Sequence, residues 1–233
     1  MRVGEPVFAA DCGAKEKLQK LITHLRDSST AGYVDLVAET KGTKAVYRQP
    51  DWKAEDIYDY KDELGYLKKQ VLRYPGKEFL MRRKTRNGFQ WGDCPPMLFN
   101  LDQFFRSPTV CVVEGERDAN TVNKLELEDS RGWLVLATTS GGSDSWQDKF
   151  AEKLIDKRVL VMVDNDAAGK KYEEQIIESL VKREIQFHVV SLPDGVKDVS
   201  DYMAAGNTSE MLLERMGDWC KKPIVVPFVP GQP

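Results

Sequence analysis

The sequence is poor in the residues that build zinc sites and disulfide frameworks. Its 233 residues include four cysteines and two histidines. The cysteines, which are Cys12, Cys94, Cys111 and Cys220, lie far apart and form no CxxC pair. A zinc ribbon therefore does not fit this chain, we expect no zinc, and we expect no disulfide framework either.

Long apolar runs are missing as well. No run approaches the roughly 20 residues that cross a bilayer. The N-terminal stretch MRVGEPVFAADCGAKEK lacks the basic start and the long apolar core of a secretion signal. We therefore expect a cytoplasmic protein with no membrane partner. A GxxxxGK[ST] phosphate-binding loop is also absent from the sequence, which argues against a helicase fused into this chain.

The overall composition is that of an ordinary globular protein, with 41% apolar and 30% charged residues. The net charge of −3 neither supports nor opposes nucleic-acid binding, but one stretch is strongly basic. Residues 68–86 carry eight basic side chains and a single acid, Glu78. This stretch fits contact with a phosphate backbone as well as it fits the solvated face of a hairpin. In both cases Arg82 and Arg83 should be exposed.

The sequence predicts four regions of different character. They are an N-terminal segment of unknown role (1–46), a smaller β-rich basic subdomain (47–106), an α/β domain (107–205) and a C-terminal helix with a proline-containing tail (206–233). In the first region, apolar spacing predicts a helix over residues 15–26. In the second, alternating apolar and polar residues flank turns at Asp62–Gly65 and Tyr74–Gly76, which is typical of β-hairpins.

Residues 107–205 alternate between strand and helix patterns. The predicted strands are 109–113, 133–138, 159–163 and 187–192, and the predicted helices are 117–127, 145–155 and 168–183. Strands that alternate with helices over short connections indicate a parallel sheet with helices packed against it. The predicted fold class is therefore α/β.

Carboxylates follow two of these strands. In VCVVEGERDA, Glu114 ends the strand, Gly115 permits a tight turn, and Asp118 comes four residues after Glu114. In VLVMVDNDAAG, Asp164 and Asp166 follow an apolar run that predicts a strand buried on both faces. Because open parallel sheets bind ligands at the carboxyl ends of their strands, these acids are candidate site residues.

A third acidic stretch, PDGVKDVSDYM, follows the last predicted strand and contains Asp194, Asp198 and Asp201. Each acid by itself also fits a turn or a helix N-cap. Three acidic clusters at one rim would repel each other unless a cation or a proton neutralises them. Oxygen ligands without histidine or cysteine indicate a hard cation, Mg²⁺ or Mn²⁺.

Two stretches of the α/β domain resemble the signature motifs of the Toprim family, which includes bacterial-type primases, topoisomerases and certain nucleases. They are VCVVEGERDANTV and VLVMVDNDAAGKKYEE. TTSGGSDSWQDKF and KDVSDYMAAGN resemble the primase branch of phages and mobile elements, and YDYKDELGYLKKQVLRYPGKEFLMRRK resembles the β-rich segment that precedes Toprim in primases. The resemblance covers residues 57–205 and implies a Toprim-type parallel sheet flanked by helices.

The resemblance also implies roles for particular residues. Glu114, Asp164 and Asp166 would be catalytic, and these three together with Asp118 and Asp198 would bind the metal. The residues that would contact template or nucleotide are Arg73, Lys77, Arg82, Arg83, Lys84 and Lys170.

One main hypothesis for function follows, and two others stay open. The first is a primase-like nucleotidyltransferase that makes short RNA or DNA primers on single-stranded DNA from nucleoside triphosphates by a two-metal mechanism, with a separate replicative helicase as a candidate partner. The second is a metal-dependent Toprim nuclease, because paired metals serve cleavage as well as synthesis. The third is a non-catalytic replication module that binds nucleic acid. A topoisomerase is least favoured, because nothing in the sequence would support strand passage.

Overall fold

The computed structural model describes residues 51–129 and 132–217 in full. It also describes the backbone of two earlier strands, β1 (Tyr33–Glu39) and β2 (Gly42–Arg48). These strands pair in antiparallel fashion, with Tyr33 opposite Arg48. The helix predicted over residues 15–26 and the C-terminal tail lie outside the described residues.

A four-stranded sheet precedes the α/β region. Its strands are β3 (Asp56–Lys61), β4 (Leu67–Tyr74), β5 (Glu78–Thr85) and β6 (Gly88–Trp91), and they lie in sequence order. Gly65 and Gly76 lie in the two predicted turns, with φ of +83° and +80°, a conformation that glycine adopts without steric cost. β5 and β6 are antiparallel, and Arg82 lies opposite Trp91. The β-rich region that the sequence predicts before the α/β domain is confirmed.

The α/β region contains a second four-stranded sheet. Its strands are β7 (Thr109–Val112), β8 (Val135–Thr138), β9 (Arg158–Val161) and β10 (Phe187–Val189), in the spatial order β10-β9-β7-β8. All three pairings are parallel, and Val112 lies opposite both Thr138 and Val161. The chain passes from β7 to β8 on one side and then returns to β9 on the other. The strand order therefore reverses between β7 and β9, where open α/β sheets bind ligands.

Helices cover both faces of this sheet. They are α1 (Glu116–Lys124), α2 (Ala167–Val181), α3 (Val199–Ala204) and α4 (Ser209–Met216). On one face Leu160 belongs to a buried cluster with Val122 of α1, Tyr202 of α3 and Leu212 of α4. On the other face Val110, Val159 and Val161 belong to a cluster with Tyr172, Ile176 and Leu180 of α2. Each such side chain contributes about 1.5–3 kcal/mol through burial, which explains why β7 and β9 are apolar without alternation.

The predicted α/β fold class with a parallel sheet is confirmed, but one helix has a different form. The helix predicted over residues 145–155 is a 3₁₀ helix at Asp148–Leu154. Its buried residues Phe150, Ala151 and Leu154 are spaced by one and three positions, which the two helix types accommodate equally well. Among the described residues, no helix is long and apolar enough to cross a membrane. The three predicted boundaries between the four regions stay predictions.

Candidate active site

Four acidic side chains from separate segments meet where the strand order reverses. Glu114 follows β7 after one residue, and Asp164 follows β9 after two. Asp118 lies in the first turn of α1. Asp198 follows β10, and its loop is tied to the end of β9 because Asn165 N donates to the Lys197 carbonyl oxygen at 2.6 Å. The parallel sheet therefore brings together acids that lie far apart in sequence.

Three of these acids form a compact group. Asp118, Asp164 and Asp198 each offer a carboxylate oxygen that lies within 4.8 Å of the other two. Asp118 Oδ1 accepts hydrogen bonds from Ser200 Oγ at 2.5 Å and from Ser200 N at 3.3 Å. Asp198 caps α3 by accepting a hydrogen bond from Asp201 N at 2.7 Å. These bonds orient the two carboxylates beside Asp164.

Glu114 carries a buried oxygen without a donor. Among the described residues, no group donates a hydrogen bond to its Oε2. Burial raises the pKa of Glu114 to about 7, and the negative charges of Asp164 and Asp166 raise it further. An unsatisfied buried acceptor costs about 1–3 kcal/mol. Glu114 therefore requires a proton or a cation at this oxygen.

Burial also raises the pKa of two neighbouring carboxyl groups, those of Asp118 and Asp164. Burial raises the pKa of Asp118 to about 6, against the stabilising hydrogen bonds from Ser200. Burial also raises the pKa of Asp164, and the hydrogen bond from Lys197 opposes this effect. Three carboxyl groups with raised pKa values in one cluster mark a site where negative charge is crowded, as in many functional sites.

Asp166 has a structural role in addition to its place near the cluster. Its Oδ1 accepts hydrogen bonds from Ala168 N at 3.0 Å and from Gly169 N at 2.9 Å, so it is the N-cap of α2. The bond from Gly169 N lowers the pKa of Asp166 more than any other interaction does. The capping role that the sequence left open for this acid is therefore present. Asp166 Oδ2 faces Lys197, 3.5 Å from its Nζ.

Lys197 is a site residue that the sequence analysis missed. Its Nζ donates a hydrogen bond to Asp164 Oδ2, and this bond is the main reason why the pKa of Lys197 is raised. The two residues lie 33 positions apart. The only local signal is that Lys197 directly precedes Asp198 in the KDVSD stretch.

Gly169 permits the close approach between the start of α2 and the end of β9. A Cβ atom at this position would lie 2.0 Å from the Asp164 carbonyl oxygen. Any larger residue would therefore push the helix away from the strand end. Gly169 thus allows Asp164 and the N-cap residue Asp166 to lie side by side.

A second polar group links the β-rich sheet to α1. The Tyr60 hydroxyl donates a hydrogen bond to Glu116 Oε1 at 2.6 Å, and the Lys69 Nζ lies 4.1 Å from the centroid of the Tyr60 ring. Gly141 passes close by, because a Cβ there would lie 3.0 Å from the Tyr60 hydroxyl oxygen. Tyr60 and Glu116 are 56 positions apart, so no sequence pattern indicates this contact.

The basic residues predicted to contact phosphate have varied surroundings. Lys77, Lys84 and Lys170 are exposed. Arg73 is half-buried, with its Nε 3.3 Å from Glu55 Oε2. Arg83 is exposed, as predicted.

The predicted exposure of Arg82 is wrong. The residue is 9% exposed, and its Nε donates to Gln70 Oε1 at 2.7 Å. Its guanidinium carbon lies 4.2 Å from the Phe89 ring centroid and 4.9 Å from that of Trp91. Both rings belong to β6, the neighbouring strand. The charge pattern of β5, on which the prediction of exposure was based, does not indicate which side chains lie on β6. Arg82 therefore helps to hold the sheet together.

The donor set fits a hard divalent cation. Asp118, Asp164 and Asp198 supply oxygens at suitable mutual distances, and Glu114 adds the buried oxygen without a donor. Among the residues that the structure describes, no histidine or cysteine belongs to the cluster. Oxygen-only sets of this kind suit Mg²⁺ and Mn²⁺, which usually retain waters until substrate phosphates complete their coordination.

Comparison with known proteins agrees with this architecture. Residues 111–203 match the family model described as Toprim-like. No curated protein sequence matches the chain. The residues that carry the acidic cluster, Glu114, Asp118, Asp164 and Asp198, all fall inside the matched range. This part of the chain is therefore similar to Toprim-like domains.

Solved structures extend the likeness beyond that domain. The chain resembles the primase fragment of the bacteriophage T7 primase-helicase protein, with 21% identity and a TM-score of 0.51 over 68% of this chain and 60% of that one. It resembles the zinc-binding and RNA polymerase domains of Aquifex aeolicus primase, with 19% identity and a TM-score of 0.56 over 91% of this chain and 50% of that one. The chain thus spans 60% and 50% of these two relatives. Its fold is primase-like.

Proposed function

We propose that the chain is the catalytic core of a primase-like nucleotidyltransferase that makes short RNA or DNA primers on single-stranded DNA. The observation that carries this proposal is the convergence of Asp118, Asp164 and Asp198 within 4.8 Å where the strand order reverses. Phosphoryl-transfer enzymes place hard cations at such oxygen clusters. The buried Glu114 Oε2, which requires a proton or a cation, supports the same proposal.

The extent of the structural likeness favours synthesis over cleavage. The Toprim-like match covers residues 111–203, whereas the likeness to the Aquifex aeolicus primase covers 91% of the chain. That likeness therefore includes the β-rich basic region as well as the Toprim-like domain. A Toprim nuclease would use the same acids but gives no reason for a primase-like sheet in front of them.

The residues of the chain divide the chemical work in the proposed mechanism. Bound Mg²⁺ or Mn²⁺ would neutralise charge on the reacting phosphate and make the attacking 3′ hydroxyl more acidic. Asp118, Asp164 and Asp198 would hold the cation, and Ser200 orients Asp118. Glu114, whose Oε2 is buried without a donor among the described residues, would accept the proton of the hydroxyl.

The proposed partners are single-stranded DNA, nucleoside triphosphates and a separate helicase. Among the structural matches, one T7 chain is a primase domain in a complex with lagging-strand DNA polymerase, an RNA/DNA hybrid and dTTP, with 21% identity and a TM-score of 0.51 over 68% of this chain and 74% of that one. Phosphate contacts would come from Arg73, Lys77, Arg83, Lys84 and Lys170. A cytoplasmic location stays a prediction.

A paired assay on one preparation tests the proposal. Incorporation of labelled nucleotides on single-stranded DNA and degradation of labelled DNA and RNA are measured with Mg²⁺ and with Mn²⁺. We expect incorporation by the wild type and by Asp194→Asn, an exposed acid of the same loop, but none by Asp164→Asn. Degradation without incorporation would select the nuclease. Retained DNA binding with neither activity would select the non-catalytic module.

A further inference from the structure

We propose that Lys197 is an internal counter-ion that occupies part of the cation site and must move away before a divalent ion binds. This inference rests on the proposed metal-dependent function. The Lys197 ammonium donates a hydrogen bond to Asp164 Oδ2 and lies 3.5 Å from Asp166 Oδ2. Among the described residues, no other lysine or arginine forms an ion pair with either acid.

The ammonium lies at carboxylate oxygens of Asp164 and Asp166 that a divalent ion would also use. Asp166 uses Oδ1 to cap α2, so its Oδ2 is the oxygen left for a cation, and Oδ2 is the atom that faces Lys197. Asp164 likewise presents Oδ2 to the ammonium. Mg²⁺ binds carboxylate oxygens at about 2.0–2.1 Å, which places it inside the space of the ammonium. Two cations this close also repel strongly.

The Lys197 side chain can leave while its backbone stays. The side chain is 49% exposed, whereas that of Asp164 is 11% exposed. The backbone of Lys197 is held by the hydrogen bond from Asn165 N to its carbonyl oxygen at 2.6 Å. A four-carbon stem lets the ammonium move by several ångströms without disturbing Asp198, the next residue.

This exchange has two consequences for the site. Without a metal, Lys197 reduces the repulsion among the carboxylates and stabilises the folded protein. It also weakens metal binding, because the ion pair must be broken first. A substrate phosphate would offer the displaced ammonium a new partner, so metal and substrate should bind more tightly together than separately.

Calorimetric titration with Mn²⁺, without nucleotide and at fixed pH, tests the competition. We expect Lys197→Met to bind Mn²⁺ about 3- to 10-fold more tightly than the wild type, since a partly exposed ion pair of this kind is lost on binding. Lys197→Arg keeps the positive charge and should bind no more tightly than the wild type. Lys171→Met is the matched control, because it removes the same charge from α2 at an exposed pair with Asp144. An unchanged affinity in Lys197→Met, or an equal gain in Lys171→Met, would overturn the proposal.

Nuclear magnetic resonance of the lysine ammonium groups gives a second readout on the wild type itself. A hydrogen-bonded ammonium signal that is missing in Lys197→Arg should be present with chelator and disappear at saturating Mg²⁺. A signal that persists at saturation would show that ammonium and metal coexist, and the inference would be wrong. If neither the wild type nor any variant bound Mg²⁺ or Mn²⁺, the proposed metal site itself would be wrong. Equal binding by all of them would leave the proposed function intact and remove only the role of Lys197.

Discussion

Glu114→Gln should stabilise the metal-free protein at neutral and higher pH. Burial, together with the charges of Asp164 and Asp166, raises the pKa of Glu114 from near 4.5 to about 7. The folded state therefore binds this proton more tightly than the unfolded state does. The stability that the folded protein has with Glu114 protonated is fully present below about pH 4.5 and is lost as the pH rises through about 7. Glutamine keeps the shape of the side chain and removes this dependence.

The size of the effect follows from the difference between the two pKa values. A difference of about 2.5 corresponds to about 3 kcal/mol, at about 1.4 kcal/mol for each unit. Glu114 is partly exposed to solvent, and screening reduces this figure to about 1–2 kcal/mol. The difference in free energy of unfolding between Glu114→Gln and the wild type should therefore grow by about 1–2 kcal/mol, in favour of the variant, as the pH rises from 5 to 8.

Urea denaturation followed by circular dichroism measures this difference. The wild type, Glu114→Gln and the exposed control Glu174→Gln are unfolded at several pH values in chelator, and again with excess Mg²⁺. We expect the control to follow the wild type, and we expect Mg²⁺ to stabilise the wild type more than Glu114→Gln by linkage to the folded state. If the curves of the wild type and Glu114→Gln stayed parallel from pH 5 to pH 8, Glu114 would not lie in a charge-crowded site.

Substitutions at four other positions test the acidic site and the β-rich sheet. Asp166→Ala should lower the free energy of unfolding in chelator by about 0.5–2 kcal/mol, because it removes the N-cap of α2. Asp166→Asn should keep most of the cap. Equal losses for the two variants in urea denaturation would contradict the capping role. Gly169→Ala should destabilise the protein by more than about 3 kcal/mol in the same measurement, because its Cβ would lie 2.0 Å from the Asp164 carbonyl oxygen. Arg82→Ala should cost about 1–3 kcal/mol of stability, while Arg83→Ala should change stability by less than about 0.5 kcal/mol. Arg83→Ala should also reduce the salt dependence of single-stranded DNA binding by about one phosphate contact, and an unchanged slope would assign this residue to the solvated surface.

The elements of the α/β region could be predicted because their signals are local. The apolar run at 159–163 indicates a strand with two buried faces, and β9 lies there between two hydrophobic clusters. The spacing of Tyr172, Ile176 and Leu180 indicates the buried face of α2. The acids at the strand ends follow from the same patterns. The helix type at Asp148–Leu154 differed, since spacings of three and four do not separate 3₁₀ from α-helix. Several helices and strands also begin or end one to three residues from the predicted positions, because local patterns define element ends poorly.

The geometry of the acidic cluster was decided by contacts that no local pattern contains. Sequence alone determined which strands end in carboxylates, because burial and turn formation depend on neighbouring residues. The strand order placed Asp118, Asp164 and Asp198 together, and it brought Lys197 to Asp164 across 33 positions. Arg82 likewise became buried through side chains of the adjacent strand. Periodicity reports whether a side chain faces a core or solvent, whereas its partner across a sheet depends on the order and register of strands, which only the tertiary structure decides.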